Sequence, residues 1–207
     1  MADVARGTRG TGTAQRILDA AEALVQRRGF NAFSYGDVAS QLGVTTASLH
    51  YHFRGKAALG EALIARYADR FATALEEIEA AQTPAAQRLR AYALLYADVL
   101  RGGRMCLCGI LAAEYATLPE SMHDAVVGFF DANIRWLAAV LSAGRADGEL
   151  SFAGDAEPAA ATLLAGLEGA MLVARPYDEP ERFESAARRL LDALFPSPGG
   201  AGEPLAD

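Results

Sequence analysis

Apolar residues along this chain recur at helical spacing over nearly its whole length, and the strict alternation that marks half-buried strands is absent. Ile17, Leu18, Ala21, Leu24 and Val25 lie on one face of a helix predicted to start after Thr13 as N-cap. It runs to Arg28, where Gly29 ends it. Phe30 and Phe33 follow in a short connector that plugs a small core. Ser34, with Asp37 three residues on, signals a second helix start, close to a capping box but with Asp where Glu is usual. Gly43 stops this brief helix after Leu42, and a third begins near Thr45 or Thr46, with Leu49 and Phe53 four apart on its buried side.

A long helix from about Ala57 to Ala80 is predicted next, because Leu59, Leu63, Tyr67, Phe71, Leu75 and Ile78 repeat at intervals of four, then three. At ~1.5 Å per residue it would span roughly 36 Å. Pro84 sits at the first turn of a helix reaching Arg101, which Gly102-Gly103 breaks. A helix around Met105–Ala116 is expected to end before Pro119, and another to run from about Glu120 to Ala143 or beyond. Gly144, Gly148 and Gly154 then flank a loop. The last helices are expected over 155–175 and 179–195, and the tail PSPGGAGEPLAD is expected to be disordered. The fold class is therefore all-α, with about nine helices. The predicted division is a flexible arm (1–12), a three-helix helix-turn-helix head (13–60), a larger helical ligand-binding and dimerisation body (61–195) and a flexible tail (196–207).

The net charge of −7 argues against nucleic acid, but its distribution points the other way. Residues 1–56 hold seven Arg/Lys against four acids, a net +3, while the remainder holds 12 basic and 22 acidic residues, a net −10. A basic head on an acidic body suits DNA binding by the head. Charges are expected to interrupt every apolar run short of the ~18–20 residues that span a bilayer. The opening MADVARGTRGTGTAQR lacks a signal-peptide apolar stretch, so a cytoplasmic protein without membrane association is expected. Two cysteines one residue apart, Cys106 and Cys108, suit neither a disulfide framework nor a zinc site, and no metal or cofactor is expected.

Ala39, Gly43 and Leu49 have the spacing of a helix-turn-helix: a small residue for close helix crossing, glycine for the sharp turn, and an apolar anchor for the second helix. The outward side of that helix offers Thr45, Thr46, Ser48, His50 and Tyr51, short hydroxyls and aromatics suited to phosphates and base edges. Spacing alone also fits a surface αα-hairpin that binds nothing.

The order Thr13…Ile17…Ala20-Ala21…Gly29-Phe30…Ser34…Val38-Ala39…Gly43-Val44-Thr45…Leu49-His-Tyr-His-Phe53…Lys56…Leu59 closely resembles the DNA-binding domain of the TetR family of repressors. The resemblance covers about residues 13–60. It implies that Thr45, Thr46 and Ala47 face bases, that His50, Tyr51 and His52 contact phosphates and close the head, and that Lys56 touches the DNA backbone. Tyrosine is common in the family where His50 stands, and glycine at Ala47, so the division of labour between His50 and Tyr51 stays open. His52 suits the interior of the head as well as DNA. Tyr35 could reach a phosphate or simply pack, and Arg6 and Arg9 could form an arm on DNA or a disordered leader.

Beyond the head, the resemblance implies a ligand pocket in the body and a dimer formed by the last two long helices. Residues 155–175 are compatible, with Ala159, Ala160, Ala161, Ala165, Gly166, Gly169, Ala170 and Ala174 permitting close helix approach. Leu163, Leu167, Met171, Leu190, Leu191 and Leu194 could supply the apolar area of a dimer interface or of an intrachain core. Candidate ligand-binding residues are Tyr92, Tyr96, Cys106, Phe129, Asn133, Trp136, Met171 and Arg175, a set that also describes a helical core. Met105, Glu114, Tyr115 and Phe130 extend it. Cys106 and Cys108 read either as small buried hydrophobes or as redox-sensing thiols, Cys106 first, with Arg101 or Arg104 near enough to favour thiolate.

The expected function is a homodimeric repressor, released from a palindromic double-stranded DNA operator by a small-molecule inducer or by cysteine modification. Two alternatives compete: a helical protein-interaction module, and a small-molecule enzyme that does not bind DNA. For the latter Glu114, Glu120, His123 and Asp124 are imaginable acid-base or ligating groups, but no catalytic motif surrounds them.

Overall fold

A computed structural model describes residues 4–196, with side chains from Gly12 onward, and all regular structure in that range is helical. In chain order the helices are α1 (Val4–Arg28), α2 (Tyr35–Leu42), α3 (Thr46–His52), α4 (Lys56–Ala80) and α5 (Ala85–Arg101). They continue as α6 (Leu107–Ala113), α7 (His123–Ala146), α8 (Ala156–Ala174) and α9 (Pro180–Asp192). The nine helices match the periodicity along most of the chain, and the departures have local causes.

α1 is continuous from Val4, so Thr13 lies inside the helix instead of capping it. Once a helix is nucleated, an unfavourable residue such as glycine costs only ~1 kcal/mol, less than restarting would. The Arg6 and Arg9 side chains, residues 1–3 and the tail from residue 197 lie outside the described residues. α6 is shorter than its apolar run suggested: Cys106 is its N-cap, Glu114 its C-cap, and Tyr115–Thr117 tighten into a 3₁₀ turn. Gly144 does not open the loop but stays within α7, where an added Cβ would lie 2.5 Å from the Ala85 Cβ and 2.6 Å from Leu150. Charges do interrupt the long apolar runs, but they leave the mean hydropathy of two helices high. Glu120–Ala146 and Ala156–Tyr177 are both long and apolar enough to cross a membrane by length and composition, with Asp131 and Arg135 interrupting the first and Glu168 the second. Each nevertheless buries one face inside the chain, Val126, Leu137 and Leu141 on the first and Ala160, Leu163 and Leu167 on the second.

The chain divides into two compact units. The first holds the residues up to Ala74 together with Asp98–Ala132, and the second holds Leu75–Ala97 together with the residues from Asn133. α4, α5 and α7 run unbroken through the boundaries. The first unit is built on Ile17, Val25, Phe30, Val38, Leu49 and Leu63, each at most 3% exposed. Burial on this scale stabilises by roughly 1.5–3 kcal/mol per large side chain. A polar clamp lies beside this core. Glu22, buried on α1, accepts from Arg66 at 2.6 Å and from Arg70 at 2.5 Å, and Arg66 also reaches Asp19 at 2.7 Å. The second unit packs α8 on α9, with Gly166 so close to Leu190 that a Cβ would stand 2.9 Å from its methyl. Phe183, Ala187 and Leu191 are the inward face of α9.

Candidate nucleic-acid interface

α2 starts in a complete capping box. The Ser34 hydroxyl accepts from the Asp37 N–H at 3.3 Å, and the Asp37 carboxylate accepts from the Ser34 N–H at 2.7 Å. Aspartate is thus long enough to close the box, and these hydrogen bonds from Ser34, first its hydroxyl, hold the Asp37 carboxyl below its ordinary pKa. Gly43 ends α2 with φ +65°, the left-handed conformation that glycine adopts without a Cβ penalty. Thr45 then caps α3, its Oγ1 accepting from the Ser48 N–H at 3.3 Å. Leu49 and Val38 are fully buried and Ala39 is nearly so, which locks α3 across α2 in the first unit.

That anchoring decides which side chains remain uncovered. Thr45, Thr46, Ala47, His50 and Tyr51 are exposed, and Tyr51, at 85%, is the most exposed of the large apolar side chains described. Its ring meets His52 edge-on at 5.2 Å and is otherwise open. Ser48 and His52 are half-buried. Tyr35 is occupied within the head: its hydroxyl donates to the Phe53 carbonyl at 3.0 Å and its ring lies 4.7 Å from His50, so it fastens the start of α2 to the end of α3. Burial pushes its phenol above the ordinary value, while a backbone hydrogen bond from Gly55 opposes the shift.

Lys56 is the sole lysine of the chain and the first residue of α4. Its ammonium sits 4.5 Å over the Phe33 ring and 4.8 Å over the Phe30 ring. Burial lowers its pKa, and the carboxylates of Glu114 and Asp37 act in the opposite sense.

Glu114 has no counterpart among the predicted contacts of the head. From the end of α6 its carboxylate accepts the Phe30 N–H at 2.7 Å and the Asn31 N–H at 3.2 Å. Thr117 adds a grip, its hydroxyl accepting from the Asn31 amide at 2.7 Å while donating to the Glu114 carbonyl at 2.8 Å. Gly29, at φ +92°, is required twice over, since a Cβ there would fall 2.2 Å from the Glu114 carboxylate. At the other end of α6, Met105 donates its N–H to the Gln26 carbonyl at 3.1 Å. No pattern in the sequence pairs residues 84 apart, so periodicity could not find this contact.

The ligand candidates divide between the units. In the second, Tyr92 donates to Asn133 at 3.0 Å, meets the Tyr96 hydroxyl at 3.1 Å and stacks on Trp136 at 5.5 Å. Met171 is buried on α8, and Arg175 opens the 3₁₀ turn that follows it. In the first unit Phe129 packs among Tyr67 and Phe71, and Cys106 caps α6, its Sγ accepting from the Gly109 N–H at 3.4 Å. Cys106 and Cys108 are both buried. One groove of about 430 Å³ in the second unit, between α5 and α9, is lined by residues such as Arg90, Leu94, Phe183 and Arg188, none of them an expected ligand contact. Among the described residues no group of three His, Cys, Asp or Glu could hold a metal ion. Of the imaginable catalytic groups, Glu114 is engaged as above, and His123 stacks on Tyr115 at 4.1 Å.

Residues 17–63 match the family described as bacterial regulatory proteins, tetR family, and residues 85–190 match the tetracyclin repressor-like C-terminal domain. The chain is 29% identical to the transcriptional regulator AcuR of Cereibacter sphaeroides over 84% of its own length and 81% of that protein. A TetR-family transcriptional regulator from Agrobacterium tumefaciens has a crystal structure that superposes with a TM-score of 0.87 at 32% identity, covering 90% of this chain and 100% of that one. The reduced form of Escherichia coli NemR, a transcriptional repressor, superposes with a TM-score of 0.77 at 27% identity over 90% of this chain and 99% of that one.

Proposed function

The chain belongs to the TetR family of bacterial regulatory proteins and is a DNA-binding transcriptional regulator rather than an enzyme, and from that premise we propose a cytoplasmic homodimeric repressor of a palindromic operator. The observation that carries the DNA-contact assignment is the uncovered face of α3. Thr46, Ala47, His50 and Tyr51 stand open while Leu49 is sealed beneath them. In this reading Thr45, Thr46 and Ala47 approach base edges, and Ser48, His50 and Tyr51 approach bases or phosphates. Lys56 meets the backbone, Tyr35 supports α3 from α2, and His52 closes the end of α3 beside Tyr51. Two heads about 34–36 Å apart would occupy successive major grooves.

Release is assigned to a small-molecule inducer held by Tyr92, Tyr96, Asn133 and Trp136, with Met171 and Arg175 as further candidates. The supporting observation is the buried Trp136 Nε1, which has no hydrogen-bond partner and is a donor available to a ligand oxygen. α4, continuous through both units, would carry the response. A second reading, modification of Cys106, is favoured by the placement of its thiol at the start of α6, the helix whose far end holds the Phe30–Asn31 turn. The crystal structure of NemR in a reduced form makes the same test worthwhile here.

The deciding experiment is a fluorescence-anisotropy titration against duplexes from the region beside its own gene, at two salt concentrations, with and without a thiol oxidant. Tight, salt-dependent binding supports the operator reading. Loss of binding on oxidation that Cys106→Ser prevents selects the thiol, and binding indifferent to oxidant selects the inducer. Failure to enrich any site in a genome-wide selection would remove the operator assignment.

A further inference from the structure

We propose that Glu114 is a positioning residue that restrains the affinity of the head for DNA: its carboxylate, fixed on the Phe30–Asn31 turn, competes with DNA phosphate for the ammonium of Lys56. This rests on the reading of Lys56 as a phosphate contact. Glu114 is held in place by the Phe30 N–H at 2.7 Å and the Asn31 N–H at 3.2 Å, and Gly29 leaves the space that its carboxylate fills. Lys56 is held at the same turn, its ammonium 4.8 Å over the ring of Phe30, whose own N–H binds Glu114. One residue, Phe30, therefore touches the carboxylate through its backbone and the cation through its ring. Asp37 acts on Lys56 as well, but it is committed to the capping box of α2.

A carboxylate that shares Phe30 with a DNA-facing cation has two separable effects. Its hydrogen bonds order the turn, which favours DNA binding. Its charge offsets that of Lys56, which opposes it, because each phosphate contact gains by releasing counterions only insofar as the cation is free to neutralise it. Glutamine separates the two, since its amide oxygen can accept the same N–H groups without the charge.

The test compares Glu114→Gln, Glu114→Asp, Lys56→Ala and the Glu114→Gln/Lys56→Ala pair by anisotropy titration of the full-length protein on operator and random duplexes, at low and high salt. Because Lys56 is the only lysine, lysine labelled with ¹³C at Cε gives a single side-chain NMR signal that reports its ionisation and ring environment. Glu114→Gln is expected to bind every duplex roughly three- to tenfold more tightly at low salt, with a smaller gain at high salt. The gain should disappear in the Lys56→Ala background, and the Lys56 titration should move to lower pH once the carboxylate charge is gone. Glu114→Asp keeps the charge and should not bind more tightly than the parent. Unchanged or weaker binding by Glu114→Gln with an intact Lys56 signal overturns the proposal, as does a gain that survives Lys56→Ala. If Glu114→Gln disturbs the turn, a Glu114→Asp protein that binds more tightly than the parent overturns it instead. Failure of the underlying reading is recognisable separately, since Lys56→Ala would then leave both duplexes bound as before.

Discussion

Thr46 and Lys56 are the first residues of consecutive helices, yet they should report different physics. Thr46 is exposed on the first turn of α3, where a hydroxyl can read one base edge, so Thr46→Ala should lower operator preference by about 1 kcal/mol and leave random DNA unchanged. Lys56→Ala should weaken all duplexes alike and reduce the salt slope by about 1 per head. Equal effects of both substitutions on both duplexes, in parallel titrations, would contradict this division. Asp37 yields a pH dependence. Its folded pKa is depressed, so its contribution to stability is present above the ordinary carboxyl range and is lost as pH falls through the folded value. The difference in thermal midpoint between the parent and Asp37→Asn should therefore shrink progressively on acidification. Capping and exposure at these positions were legible in the sequence, because a cap and its partner are three residues apart. The engagement of Tyr35 with the Phe53 carbonyl was not, because only the crossing of α2 and α3 brings them together.

At the scale of elements, a polar clamp joins α1 to α4 in the first unit. Glu22 is buried beneath two guanidinium groups, and Arg66 retains Asp19 if Glu22 is removed. Glu22→Ala should therefore cost about 2–3 kcal/mol, below the range for a fully orphaned buried ion, while Arg70→Ala, at a half-exposed position, should cost under about 1 kcal/mol. Urea unfolding of the three proteins checks the order. Gly60, inside α4, offers a second probe. A Cβ there would lie 2.5 Å from the Met122 sulfur and 2.8 Å from the Phe30 ring, so Gly60→Ala should destabilise by about 1–3 kcal/mol and be partly rescued by Met122→Ala. Helix periodicity identified α4 to within one residue at its start, because a long one-sided apolar stripe has few alternative readings. It overran α6, because nothing in an apolar run says that Glu114 will bond to the Phe30–Asn31 turn instead of continuing the helix.

For the molecule as a whole, dimerisation is where tertiary structure sorted residues that the sequence left together. Leu163, Leu167, Met171 and Leu191, compatible with either an intrachain or an intersubunit face, are buried within the single chain. The apolar face of α8 left open carries Ala165, Gly169, Leu172 and Val173, with Leu172 58% and Val173 65% exposed. If this face meets a second copy, the double substitution Leu172→Glu/Val173→Glu should shift sedimentation towards monomer at micromolar concentration. It should also weaken palindrome binding at least tenfold while sparing a single half-site. A variant that remains dimeric would place the interface elsewhere. The all-helical class was readable from periodicity along nearly the whole chain, and the helix-turn-helix head with its outward-facing α3 from residues 13–60, because caps, turn glycine and apolar anchors act over one or two helical turns. Contacts across long sequence separations were not: Glu114 on the Phe30–Asn31 turn, Tyr92 on Asn133, and which side of α8 stays bare. Those depend on which helices lie side by side, and amphipathic periodicity says that a face is buried without saying what buries it.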